Sequence, residues 1–93
     1  MDSRRGRNER AERYRDYFDL QLRFAEAVSE KTSTPIADAV LLYTTFHRRF
    51  GLGDAPDVAP CLAWQEYVRE LSGLATHRER ADWTHSFYVQ ASE

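Results

Sequence analysis

Tyr43 and His47 lie four residues apart, and this pair is the first candidate for chemistry in the sequence. Imidazole titrates closer to neutral pH than any other side chain, and a phenol one helical turn away lies within reach of it. Such a pair can bind a small molecule or act in catalysis, with Trp64 and Trp83 as candidate aromatic contacts. Because no nucleophile or second base is spaced to join the pair, a structural histidine is the simpler interpretation and no catalytic residue is predicted.

Three other polar residues, His77, Asp82 and His85, superficially resemble metal ligands. The two histidines are eight positions apart, which places them about 80° apart around a helix and more than two turns apart along it. A tight site needs at least three converging ligands. Cys61 is the single cysteine, so neither an intramolecular disulfide nor a two-cysteine metal motif can form. We predict no metal site and no cofactor.

The N-terminal region is rich in arginine, with six among the first fifteen residues against three acids, a net charge of +3. Arginines can contact phosphates, and the tyrosines that follow can stack on bases. The whole chain carries a net charge of −2, however, which provides no general attraction for nucleic acid. Nucleic-acid binding is therefore an alternative hypothesis, and a solvated, charged helix surface is the simpler one. The arginines are Arg4, Arg5, Arg7, Arg10, Arg13 and Arg15.

These residues must be positioned by helices, because apolar side chains recur every three or four positions and no segment alternates as a strand does. The pattern predicts helices at about 9–30, 35–50, 60–72 and 77–90. Residues 1–8 bring no apolar side chain to a core beyond Met1, so we predict a mobile basic arm there and a single helical domain over 9–93. The predicted fold class is all-α, a compact bundle of about four helices.

Local signals mark the ends of the predicted helices. Thr34-Pro35 places a hydroxyl at the N-cap and a proline at the first helical position of helix 2. Thr76 followed by Glu79 forms a capping box at the start of helix 4. The glycines expected just past helix ends are Gly51 and Gly73.

Helix 1 is unusual because its apolar side covers about 200° of its circumference, against roughly 100° for a helix packed on one side. It is therefore predicted to be either the central helix of the bundle or half of a dimer interface. In the dimer, Gln21 would pair with its own copy across a two-fold axis. The predicted interface residues are Tyr14, Tyr17, Phe18, Gln21 and Phe24.

Composition limits the function classes. With 42% apolar and 30% charged residues, the 93-residue chain is typical of one globular domain, and its longest apolar run, residues 39–43, is far too short for a membrane span. A cytoplasmic protein without membrane contact is predicted. Twelve aromatic rings, the wide apolar side of helix 1 and two isolated leucines, Leu41 and Leu62, favour partner binding. The leading hypothesis is a non-catalytic helical interaction or regulatory protein that forms a homodimer through helix 1. The alternatives are a small-molecule or enzymatic site at Tyr43 and His47, and nucleic-acid binding.

Overall fold

A computed structural model describes residues 3–50 and 62–92 of the chain, without the side chains of residues 3–8, 10, 11, 50 and 92. The described residues form four α-helices and no strand, which confirms the all-α prediction. The helices are α1 (Ser3–Thr32), α2 (Ile36–Phe50), α3 (Leu62–Leu71) and α4 (His77–Ser92). Residues 51–61, which include the expected helix end at Gly51 and the predicted start of helix 3 near residue 60, lie outside this description.

Helix α1 is the central element of the bundle. Helices α2 and α4 both pack along it, and α3 packs against α2 and α4. The wide apolar side of α1 is therefore covered within one chain, which is the first of the two alternatives that its width predicts. The buried apolar core comprises Tyr17, Phe18, Leu22, Ala25, Ala39, Val40, Trp64, Tyr67, Leu71, Phe87 and Tyr88.

The boundaries around α3 and α4 follow the sequence signals. The Glu79 backbone N–H donates to the Thr76 hydroxyl over 3.2 Å, so Thr76 is the N-cap of α4 as predicted. Gly73, two residues beyond the end of α3, donates its N–H to the carbonyl of Glu70 over 2.9 Å. These bonds satisfy backbone groups that a helix end would otherwise leave unpaired.

The boundaries of α1 and α2 differ from the prediction. Helix α1 begins at Ser3 rather than near residue 9, so the backbone of residues 3–8 continues the helix, while the side chains of the predicted arm lie outside the description. The Pro35 carbonyl accepts the first α2 bond from the Ala39 N–H over 3.1 Å, which makes Pro35 the N-cap and not the first helical residue.

Ser33 closes α1 in the left-handed conformation, with φ 58°, and donates its N–H to the Ser29 carbonyl over 2.9 Å. Glycine is the usual residue at such a position because its missing Cβ removes the steric cost. The sequence has only polar residues at this point, from Lys31 to Thr34.

Candidate functional site

Four rings form an aromatic core where α1, α3 and α4 meet, and we use this name for Phe18, Trp64, Tyr67 and Phe87. Phe18 contacts all three of the other rings. Tyr67 and Phe87 stack with their centroids 4.4 Å apart and an angle of 11° between the planes. Offset and edge-to-face ring pairs of this kind stabilise a core beyond the area that they bury.

The Tyr67 hydroxyl and carbonyl of the aromatic core both have hydrogen-bond partners. The Tyr67 and Thr84 hydroxyls lie 3.1 Å apart, both inside the protein, and the Trp83 indole N–H donates to the Tyr67 carbonyl over 3.4 Å. Burial raises the pKa of Tyr67 far above its usual value, and the hydrogen bond with Thr84 opposes this shift only in part. The Tyr67 phenol is therefore a neutral structural group.

A second cluster, the polar seam, lies between α1 and α2 and consists of Tyr17, Gln21, Thr44 and His47. Gln21 is fully buried, and its amide NH₂ donates to the Thr44 hydroxyl over 2.9 Å. Thr44 in turn donates to the Val40 carbonyl over 3.1 Å. Two buried atoms of the seam, Gln21 Oε1 and His47 Nδ1, have no hydrogen-bond partner among the described residues. The seam is thus a buried polar layer that is only partly satisfied.

The predicted Tyr43–His47 pair borders this seam. The two rings meet at a centroid distance of 5.8 Å and an angle of 45°, so they contact each other as rings. Tyr17 lies edge-on to His47 at 4.9 Å and contacts Tyr43 at 5.5 Å. Burial raises the pKa of Tyr17, and hydrogen bonding with Thr44 acts in the opposite direction. Burial, followed by the nearby Tyr17, raises the pKa of Tyr43.

The four residues predicted to bind a ligand do not form one group. Tyr43 and His47 are adjacent, but Trp64 packs inside the aromatic core and Trp83 lies between α3 and α4. The ring contacts of Trp64 are with Phe18 and the other core rings. Ligand binding at Tyr43 and His47 alone stays a prediction.

The residues predicted for the dimer interface also fall into two groups, one buried within the chain and one at the edges of the packing. Phe18 and Gln21 are fully buried within one chain, and Tyr17 is nearly so. Gln21 could pair with the Gln21 of a second copy only from the protein surface, and its side chain is buried. Its hydrogen-bond partner is Thr44 of the same chain. Tyr14 and Phe24 are half-buried at the edges of the packing. Self-association therefore stays a prediction, but its surface must lie elsewhere than on the buried side of α1.

Two of the three polar residues that resemble metal ligands in the sequence, His77 and His85, have other contacts. His77 Nδ1 lies 2.8 Å from a carboxylate oxygen of Glu26, and Arg80 donates to Glu26 through Nε over 3.0 Å and Nη2 over 2.7 Å. Arg80 also donates to the Leu74 carbonyl over 3.1 Å. His85 hydrogen-bonds the Tyr88 hydroxyl one turn later. Within residues 3–50 and 62–92, no group of three or more His, Cys, Asp or Glu side chains could hold a metal ion.

Sequence reasoning missed the Glu26 network and the partner of Gln21. The signal for the network was Arg80, which shares its side of α4 with Phe87 and so had to find a partly buried anion. No comparable signal identifies Thr44 as the partner of Gln21. The two residues are 23 positions apart, and helical periodicity does not show which helices pack together.

Several large apolar side chains are exposed, and helical spacing aligns five residues into an apolar strip along the outer edge of α1 and α2. Phe24 and Tyr43 join the helices through a ring contact at 5.3 Å. Leu20 lies one turn before Phe24 on α1, and Phe46 and Leu42 lie within one turn of Tyr43 on α2. The exposed fraction is 54% for Leu20, 41% for Leu42 and 44% for Phe46.

Comparison with protein-family models, with curated proteins and with solved structures finds no match to this chain. In the part of the chain that the structure describes, no helix is both long enough and apolar enough to cross a bilayer. The function must therefore be argued from the side chains themselves, and above all from the apolar strip, the polar seam and the charged surfaces.

Proposed function

We propose that this chain is a non-catalytic helical interaction protein that associates with itself through the apolar strip, defined above as Leu20, Phe24, Leu42, Tyr43 and Phe46. The observation that carries the proposal is the exposure of more than two-fifths of each of three large apolar side chains, which helical spacing places beside the contact between Phe24 and Tyr43. Single exposed leucines are ordinary on protein surfaces, whereas contiguous apolar patches are typical of interaction sites.

A second copy is the partner that this surface fits. Full burial of a large apolar side chain contributes roughly 1.5–3 kcal/mol, so covering the exposed parts of Leu20, Leu42 and Phe46 in both copies yields several kcal/mol. Two-fold dimers are the commonest soluble homo-oligomers, and a two-fold contact places the same patch on both sides of the interface. The expected contact is α1 and α2 of one protomer against α1 and α2 of its partner.

Sedimentation equilibrium over a range of protein concentrations tests this function. We expect the mass of the wild-type protein to rise with concentration, and Phe46→Glu to associate more weakly because the interface would bury its charge. Leu62→Glu is the matched control, because Leu62 is 80% exposed and lies on α3, outside the strip.

Both variants should keep the helical circular-dichroism spectrum, since both side chains are exposed in the single chain. If Phe46→Glu associates as strongly as Leu62→Glu, the apolar strip is not the self-association surface.

A further inference from the structure

A groove runs along the outer side of α3 and α4, and Trp83 lies at its centre. Two depressions of about 50 Å³ and 350 Å³ meet there, and Trp83 and Ser86 line both of them. Apolar atoms of Ala63, Phe87 and Leu74 contribute to the lining. We call this surface the Trp83 groove. It is distinct from the apolar strip, which lies on α1 and α2.

Carboxylates from both helices border the Trp83 groove. Glu66 and Glu70 come from α3, one turn apart, and Glu79 and Asp82 come from α4. All four are exposed, and none of the four carboxylates forms an ion pair with another residue in the described ranges. Like charges one turn apart on a helix repel each other, so a cationic occupant would relieve an unfavourable arrangement.

The chain itself carries a segment of complementary charge. Residues 1–13, the N-terminal segment, contain five arginines and three acids, a net charge of +2. The backbone of α1 runs about 16 Å from Ser3 to Arg13, ahead of Tyr14, a side chain that packs against the core. Because α1 is continuous from Ser3 to Thr32, this segment cannot fold back onto the groove of its own chain.

We propose that the Trp83 groove of one protomer binds the arginine-rich N-terminal segment of a second copy. Guanidinium groups pair with carboxylates in a bidentate geometry that lysine cannot reproduce, and they also stack on indole rings. The groove offers both kinds of partner, with Glu66 and Glu70 on one wall and Trp83 between the walls. The contact is head-to-tail, because the two surfaces differ, and such contacts form closed rings or open filaments according to the rotation between copies.

This inference rests on the proposed self-association but uses other residues, so the two can fail separately. A fluorescently labelled peptide with the sequence of residues 1–13 is titrated into the full-length protein, and anisotropy reports binding. We expect Glu66→Gln combined with Glu70→Gln to weaken peptide binding by about tenfold or more, since two charge-assisted contacts are lost. Glu30→Gln combined with Asp38→Asn removes the same charge from exposed positions on α1 and α2, and should leave the affinity nearly unchanged.

Phe46→Glu separates the two proposals, because it should abolish contact through the apolar strip and leave peptide affinity intact. Equal peptide affinity of the groove variant and the Glu30/Asp38 control would overturn the inference. The inference would also be overturned if the isolated peptide binds the groove but the N-terminal segment of the full-length protein does not.

That second outcome is tested by charge exchange. A variant with Arg4→Glu, Arg5→Glu and Arg7→Glu should lose head-to-tail association, and so should a variant with Glu66→Arg and Glu70→Arg. When both variants also carry Phe46→Glu, which removes contact through the apolar strip, mixing them should restore a mixed complex, because the exchanged charges are again complementary. If no mixed complex forms, or if the N-terminal segment binds a single-stranded oligonucleotide in preference to the groove, the inference fails.

Discussion

The two faces of α1 are packed by different physical means. Towards α3 and α4, Phe18 enters an aromatic core in which the buried hydroxyls of Tyr67 and Thr84 pair with each other. Towards α2, Gln21 enters a polar seam in which two buried atoms have no partner among the described residues. We therefore expect ring packing on one face of the helix to provide most of the stability, whereas the Gln21–Thr44 hydrogen bond on the other face constrains which positions of α1 and α2 meet.

The largest expected effect is on the aromatic core. Phe18→Ala removes a fully buried ring that contacts five others, so we expect the free energy of unfolding to fall by about 3–5 kcal/mol. Urea denaturation measures this difference. Phe24→Ala, at the half-buried edge of the α1–α2 packing, is the comparison. If it lowers the free energy of unfolding as much as Phe18→Ala does, the assignment of stability to the aromatic core is contradicted.

In the polar seam, the free energy of unfolding should depend on whether one or both partners of the Gln21–Thr44 hydrogen bond are removed. Thr44→Val removes the acceptor of the Gln21 amide and leaves that amide unpaired inside the protein, which should cost about 1–3 kcal/mol in urea denaturation. The double variant Gln21→Leu, Thr44→Val removes both polar partners together and should recover most of the loss. A double variant that is less stable than Thr44→Val alone would show that the Gln21 amide has a favourable role beyond this bond.

The pH dependence of the free energy of unfolding should distinguish the aromatic core from the polar seam in the alkaline range. Burial raises the pKa of Tyr67 and of Tyr17 above the unfolded value of 10.0, so the folded state retains phenolic protons that the unfolded state releases. The stability contribution is complete below about pH 10 and falls as the pH rises further.

Tyr67→Phe should flatten this decline more than Tyr17→Phe, because Tyr67 is more completely buried and its pKa is raised further. Urea denaturation between pH 9 and pH 11 provides the measurement. An unchanged slope in Tyr67→Phe would mean that another group controls alkaline unfolding.

The smallest expected effect is at the end of α1, outside both packed faces. Ser33 has a positive φ that favours glycine, so Ser33→Gly should raise the free energy of unfolding by about 0.5–1 kcal/mol. Ser29→Gly, one turn earlier in the helix interior, should lower it by a similar amount. Thermal unfolding followed by circular dichroism compares the two variants, and a Ser33→Gly variant that melts below wild type would contradict this account.

The fold could be predicted from the sequence further than the site could. Helical periodicity identified all four helices and the two-sided packing of α1, and the Thr76 cap was a local signal. The early start of α1 was missed because residues 3–8 carry no apolar side chain, whereas a helix extends by adding one backbone bond for each residue ordered. The Gln21–Thr44 bond depends on how two helices meet, which periodicity does not encode.

The most direct test of the proposed function is an isotope-filtered NMR experiment on a mixture of ¹³C-labelled and unlabelled protein at concentrations where the chain associates. The account predicts intermolecular contacts between the methyl groups of Leu20 and Leu42 and the ring of Phe46, because these side chains form the exposed apolar strip. Associated protein whose intermolecular contacts leave out all three of these side chains would contradict the claim that the strip is the self-association surface.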